Sequence, residues 1–448
     1  MRFYNREREI RFLKKIREFN RKVFVVIYGR RRVGKTTLIK RVFGNDALYF
    51  FVEVKRSESL LREMSLRISK GIYTNWYDFF LDLFEKNKIV IFDEFQNFYK
   101  VNHGILYALQ RAWDDVKSNP KLIVIGSYVG LIKKIFVDEK MPLFGRKDYL
   151  INLKPFSVKD SMNMLKEFGY TPIEMLEIYA TVGGIPQYLW LFENRKPFEE
   201  LIFNTFVDAF APLRDEVKNI LITEFGSEHR TYFSILEAIG GSSKTLSEIS
   251  DLTGIDSHRL SKYVDELVNE YEILKFEEPL LTGKKRKKKY KIADRYYSFY
   301  FHTIYRKKNM VEYDPEKAVE EIYMAFPNYM GLAFEEICRE YVSQNPEVAG
   351  FIPEVVGKSW GKIPGKKGLT FEIDIVAYDK ENLLLGECEW KNKKVGIETY
   401  LTLVETSKYL NTDGRNIRYI IFSKSGFSEE LLSLRSDRLI LLTPDDMI

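Results

Sequence analysis

The chain has 448 residues, 45% of them apolar and 30% charged, with a formal net charge of +6. That balance fits a soluble globular protein, and the length calls for about three domains rather than one core. No apolar run approaches the roughly 20 residues that span a bilayer, which excludes a membrane-crossing helix. The stretch 1–6 leads straight into a helical pattern without a signal-peptide core. Two cysteines, Cys338 and Cys388, cannot build a disulfide framework, so a reducing, cytoplasmic setting is expected. Glutamine is confined to Gln96, Gln110, Gln187 and Gln344 beside abundant Lys, Glu, Ile and Tyr, a bias that resembles a thermophile's. A charge of +6 is mild, so any nucleic-acid affinity must come from local concentration.

In chain order, Ile10, Leu13 and Ile16 share one face of a helix predicted over 6–19. The apolar run 23–27 leads into Gly29-Arg30-Arg31-Arg32-Val33-Gly34-Lys35-Thr36-Thr37, which opens a second helix. This is the G-x-x-x-x-G-K-[ST] spacing of a phosphate-binding loop. Gly29 and Gly34 let the backbone curl so that its N–H groups, with the helix N-terminus, face phosphate oxygens. Lys35 reaches the β- and γ-phosphates, and the Thr36 hydroxyl suits Mg²⁺. A strand over 48–52 follows, then an apolar run at 89–92 that ends in Asp93 and Glu94. Asp93 is the expected partner of Mg²⁺, and Glu94 the base that orients the attacking water. The strand over 122–126 ends at Ser127, which either senses the γ-phosphate or serves as a turn or helix-capping residue. Arg146 is either an arginine finger or a solvated surface cation.

The segments Phe3-Tyr4-Asn5-Arg6-Glu7-Arg8-Glu9, Gly29 to Thr37, Asp93-Glu94-Phe95-Gln96 and Pro142-Leu143-Phe144-Gly145-Arg146 together resemble the archaeal P-loop ATPase family, of the AAA+ and STAND-like branch. The likeness continues through Thr181-Val182-Gly183-Gly184-Ile185-Pro186, similar to the glycine-proline lid motif on the adenine side. It implies that Asn5 and Arg6 lie near the adenine and that Pro186 belongs to the nucleotide site. Where the family has Gly-Ser-Ser at its sensor strand, this chain has Gly126-Ser127-Tyr128, so only Ser127 carries over.

Two short amphipathic helices, a glycine turn and a third helix over 256–270 are predicted across 230–270. Leu260, Val264 and Leu267 face inward there, while His258, Arg259 and Lys262 face out. Strands at 273–276 and 290–292 flank Lys284-Lys285-Arg286-Lys287-Lys288-Lys289, completing a winged helix with a basic wing. Six adjacent cations repel one another unless a polyanion neutralises them, so DNA is the expected partner of this wing and of the 256–270 helix.

Beyond a charged helical connector, a helix opens at 331. The strand 371–376 places Glu372 and Asp374 on one face, and a neighbouring strand 384–391 does the same for Glu387, Glu389 and Lys391. Carboxylates on adjacent strands with a lysine nearby are what metal-assisted phosphodiester hydrolysis uses. This stretch resembles the restriction-endonuclease-like PD-(D/E)XK domain, and the resemblance implies Glu335, Asp374 and Glu387 as metal ligands. Glu389 stands where that family carries lysine; either Lys391 supplies the cation in a shifted register or the site serves only binding or structure, and nuclease activity is expected to be weak or absent.

The expected fold class is therefore α/β. A P-loop NTPase core spans 1–155, a helical lid 156–225, a winged helix-turn-helix 226–303, a connector 304–330 and a C-terminal α/β nuclease-like domain 331–448. The expected activity is ATP hydrolysis with Mg²⁺, coupled to DNA binding. The alternative is a STAND-like nucleotide switch that works on protein partners without DNA processing. Homo-oligomerisation is compatible with either.

Overall fold

The computed structural model describes residues 4–68, 71–282, 288–363 and 368–448. The chain divides into two compact units, Met1–Pro155 with Asn269–Tyr271, and Phe156–Val268 with Glu272–Ile448.

In the first unit, the unbroken apolar run Val-Phe-Val-Val-Ile-Tyr forms β1 (Val23–Tyr28), buried at every position. A strand without polar alternation belongs inside a sheet covered on both faces. The structure bears this out with a parallel five-stranded sheet ordered β2-β3-β4-β1-β5, where β2 is Leu48–Phe51, β3 Ile89–Asp93, β4 Lys121–Gly126 and β5 Tyr149–Asn152. Its two faces differ in kind. One is aromatic, with Phe50 stacked on Phe92 at 5.4 Å and Phe92 edge-on to Phe98 at 5.3 Å. The other is aliphatic, built from Val23, Val25, Ile27, Ile39, Ile91, Ile123 and Ile125. Parallel pairing puts the C-terminal ends of β1, β3 and β4 side by side, the edge at which open α/β sheets present ligand-binding groups.

The second unit begins with helices that include Val158–Glu167 and Pro172–Val182, the latter started by a Thr171–Glu174 capping box. Three helices follow, His229–Ile239, Leu246–Thr253 and Ser257–Asp265, the second and third capped by Thr245 and Asp256. Next come the antiparallel strands β6 (Leu274–Glu277) and β7 (Lys289–Ile292), with Leu274 opposite Ile292. The connecting Lys284, Lys285, Arg286 and Lys287 of the basic run lie outside the described residues.

One boundary needs correction. The connector over 304–330 and the helix from 331 are not separate, because a single helix, Pro315–Gln344, runs across that point. Pro327 and Gly331 suggest a break in the sequence, but Phe326, Tyr329, Met330, Ala333 and Phe334 are all buried and their packing overrides it. This helix packs on a mixed sheet ordered β12-β11-β10-β9-β8. Its strands are β8 (Val355–Lys362), β9 (Thr370–Tyr378), β10 (Asn382–Glu389), β11 (Asn416–Ser423) and β12 (Leu439–Leu442). β10 pairs antiparallel with β9 and parallel with β11 over its whole length. It ends at Glu389, so Lys391 lies past the strand rather than on it.

Candidate functional site

The loop between β1 and the helix Lys35–Phe43 takes its shape from its glycines. Gly29 has φ +152°, and a Cβ there would stand 2.3 Å from the Leu153 carbonyl oxygen, so no other residue fits. Gly34 has φ +91° and caps the helix, and Arg32 between them is also left-handed at φ 68°. Val33 is buried in the aliphatic face, which anchors the loop, while Thr37 is exposed. Lys35 is buried. Its Nζ donates to the carbonyls of Gly29 at 2.8 Å and Arg30 at 2.7 Å, which holds the ammonium inside the curl of the loop.

From β3, Asp93 is fixed on both oxygens. Thr36 Oγ1 donates to its Oδ2 at 2.6 Å and Tyr49 Oη to the same atom at 2.7 Å, while the Glu94 N–H reaches Oδ1 at 2.9 Å. Burial, reinforced by Asp93, pushes the Tyr49 hydroxyl far above its ordinary pKa, so it stays a donor. Glu94 follows at φ 54°, a conformation that non-glycine residues adopt only when the surroundings hold them there. Ser127 Oγ, beyond the end of β4, donates to Glu94 Oε1 at 2.7 Å, and Gln96 Nε2 donates to Oε2. The first unit thus brings Lys35, Thr36, Asp93, Glu94 and Ser127 to one edge of the sheet.

The remaining expected residues stand as follows. Arg6 is buried with φ 78°; its Nη2 donates to the Lys154 carbonyl at 2.5 Å, and its backbone N–H bonds Asn5 Oδ1 at 2.6 Å. Arg146 is held by Asp114, with Nε to Oδ1 at 3.2 Å and Nη2 to Oδ2 at 3.0 Å. Pro186, in the second unit, starts the short helix Pro186–Leu189. Before it, Gly184 lies against Phe156, whose N–H bonds its carbonyl at 2.7 Å and whose carbonyl oxygen a Cβ would meet at 2.0 Å.

At the C-terminal sheet, the half-buried Glu335 and Glu387 gather around the buried Asp374. Burial, and then the neighbouring Asp374, drive both Glu335 and Glu387 toward the protonated form, and Glu387 is hydrogen-bonded to Asp374. Asp374 Oδ2 also accepts from the Cys388 N–H at 3.0 Å. Among the described residues no three His, Cys, Asp or Glu side chains are arranged to hold a metal ion. Arg339 pairs with Glu335 at 3.6 Å, Lys391 with Glu389 at 2.6 Å, and Asp374 and Glu387 satisfy one another. Lys358, on β8, pairs with Glu372 at 2.8 Å, and a one-residue irregularity in the β8–β9 register sets it opposite Asp374 and Ile375.

Residues 3–57 and 50–192 match the family described as an ATPase domain predominantly from Archaea, and residues 300–400 match DUF234, described as archaeal and bacterial proteins of unknown function. The protein MJECL04 of Methanocaldococcus jannaschii is 32% identical over 452 residues, covering 96% of this chain and 97% of that one. The chain belongs to the archaeal P-loop ATPase family. A shorter ATP-binding protein of the same organism, MJ0423, is 46% identical over 46 residues, covering 10% of this ATPase and 78% of its relative. Among solved structures, the ORC2 protein of Aeropyrum pernix aligns with TM-score 0.45 and 16% identity over 72% of this chain and 95% of its own. A STAND protein with a tetratricopeptide repeat sensor from Pyrococcus horikoshii aligns with TM-score 0.33 and 17% identity, over 76% and 48%. At those scores neither bears on this ATPase's partners.

Nucleotide binding follows from the family, and the donor set agrees with it. The Thr36 hydroxyl beside the Asp93 carboxylate is an oxygen pair of the kind Mg²⁺ takes, and a buried ammonium in a glycine-formed curl suits phosphate. Three participants had escaped the sequence. Tyr49 reads as one more apolar strand residue, and Lys358 sits in the glycine-interrupted Val-Val-Gly-Lys-Ser-Trp-Gly-Lys of β8. Gln96 offered one faint signal, as one of four glutamines in the chain, two positions after Glu94. No described helix is long and apolar enough to cross a membrane.

Proposed function

We propose that this ATPase hydrolyses ATP at the β1–β3–β4 edge and couples its nucleotide state to DNA through a winged helix (226–303) and a restriction-endonuclease-like domain (331–448) used for binding rather than cutting. Bound ATP·Mg²⁺ supplies a phosphoanhydride whose terminal group is transferred to water. Lys35 neutralises phosphate charge, Thr36 and Asp93 hold the cation, and Glu94 orients the water. Ser127 reads the terminal phosphate, with Arg146 a finger residue once freed from Asp114. Asn5 and Arg6 are the residues proposed to meet the base. The observation that carries the hydrolytic reading is the Glu94 carboxylate, held on both oxygens next to an Asp93 that is itself locked to Thr36. No cleavage step is proposed for the C-terminal acids, two of which are held toward the protonated form.

The DNA part rests on the second unit's surface. On the helix Ser257–Asp265, His258, Arg259 and Lys262 are exposed while Leu260 and Val264 are buried. A groove of about 400 Å³ runs beside it, lined by Thr245, Ser247, Ser257, Lys288 and Tyr290, so hydroxyls and a lysine converge where a phosphate backbone would lie. ATP turnover measured with and without duplex DNA tests the coupling. Stimulation that is lost when Lys284 to Lys289 are replaced by serine supports it. Turnover indifferent to DNA would favour the protein-directed switch instead.

A further inference from the structure

Gln96 has no role of its own in the hydrolytic reading, although it holds one of the two Glu94 oxygens on which that reading rests. It opens the helix Gln96–Val101, is wholly buried, and donates its Nε2 to Glu94 Oε2. Its Oε1 has no hydrogen-bond partner among the described residues. A buried acceptor left unpaired costs folding energy that a methionine or leucine at this position would not incur. The amide cannot turn over to relieve the cost, because reversing it would set Oε1 against the Glu94 carboxylate, acceptor to acceptor. The surrounding chain accommodates it. A Cβ on Gly126 would stand 3.0 Å from Gln96 Oε1, and the Phe95 N–H bonds the Ile125 carbonyl at 2.9 Å, which ties this segment to the end of β4. An amide kept at the expense of stability, aimed at one atom of a carboxylate on a left-handed backbone, marks a functional contact.

We propose that Gln96 is a positioning residue for hydrolysis, acting through Glu94. A glutamate side chain has three rotatable bonds, and one hydrogen bond from Ser127 leaves its carboxylate plane free to turn. The second bond, from Gln96 to the other oxygen, fixes that plane. Ser127 has a single hydroxyl proton, so when a phosphate oxygen takes it, Gln96 is the donor that stays on Glu94. Its role is to keep the base aimed while Ser127 changes partner. The inference rests on the reading of Glu94 as the water-orienting base, and its test separates the two.

In the full-length protein, Gln96→Met keeps the length of the side chain and removes both the donor and the unpaired acceptor. The variant is expected to melt no lower than wild type and to bind ATP within about twofold of it. Its kcat should fall on the order of 10- to 100-fold, the scale at which a misplaced catalytic group is felt. In a Glu94→Gln background the same substitution should cost nothing further, since the two residues act as a unit. Gln96→Asn, which keeps the amide but leaves it a methylene short, should lose kcat equally and guards against a repacking artefact. Normal kcat in Gln96→Met beside a stalled Glu94→Gln overturns the role of Gln96 and leaves that of Glu94 standing. Independent, additive losses overturn it too, by placing the action of Gln96 elsewhere. Normal turnover in Glu94→Gln removes the base itself, and the positioning role with it.

Discussion

Lys35 and Glu94 are both held by hydrogen bonds, but to different ends. The Lys35 ammonium sits on carbonyls of its own loop and the Glu94 carboxylate on Ser127; on the proposed reading the first meets phosphate in the bound state and the second acts on water. Lys35→Ala is therefore expected to lose nucleotide binding, measured by titration with ATP. Glu94→Gln should bind normally and turn over at least about 100-fold more slowly. A different chemistry governs Glu387. Because burial and Asp374 raise its pKa, the folded chain holds a proton that the unfolded chain releases above about pH 4.5. Stability contributed by this group is therefore present at low pH and falls as pH rises. Replacing it with glutamine, which needs no proton, should shrink the drop in Tm between about pH 5 and pH 8. Each unit of pKa shift removed is worth about 1.4 kcal/mol, or roughly 3–6 °C in a domain of 150–250 residues. An identical pH profile in Glu387→Gln would mean that the carboxyl stays ionised in the fold.

At the scale of elements, the hairpin β6–β7 carries the clearest expectation. If its tip engages a polyanion, replacing Lys284 to Lys289 by serine should weaken duplex binding and lower the log–log salt slope by about one for each phosphate no longer neutralised. A slope unchanged by the substitutions would leave the tip in solvent or against protein. How far such elements could be read in advance depended on what holds each together. The phosphate loop was legible because two glycines, a lysine and a threonine at fixed spacing have one common use, and β1 and β3 because an unbroken apolar run has one common place. The helices at 246–253 and 257–265 announced themselves through Thr245, Gly254 and Asp256. β8 did not, since Gly357 and Gly361 interrupt its pattern and a partner strand supplies its order. Nor did Pro315–Gln344, where burial along one face outweighs a proline and a glycine that both read as stops. The acid cluster was visible as residues but not as chemistry, because Glu335 comes from a helix and Asp374 and Glu387 from two strands, and only the fold shows how they couple.

For the whole molecule, the helix Pro315–Gln344 has a consequence for how the chain can be divided. The segment matched by the DUF234 family, 300–400, contains that helix with β8, β9 and β10, and stops before β11. β11 is the strand against which β10 is paired from Asn382 to Glu389. A fragment cut at those limits would bare the full backbone edge of an apolar central strand, a template for joining copy to copy. It is expected to precipitate on expression, whereas 156–448, which keeps the sheet and the helix's packing partners, should give a dispersed signal in an NMR spectrum. A monomeric, cooperatively melting 300–400 fragment would contradict this. The limits of a family match in the C-terminal half are therefore not the limits of a folding unit.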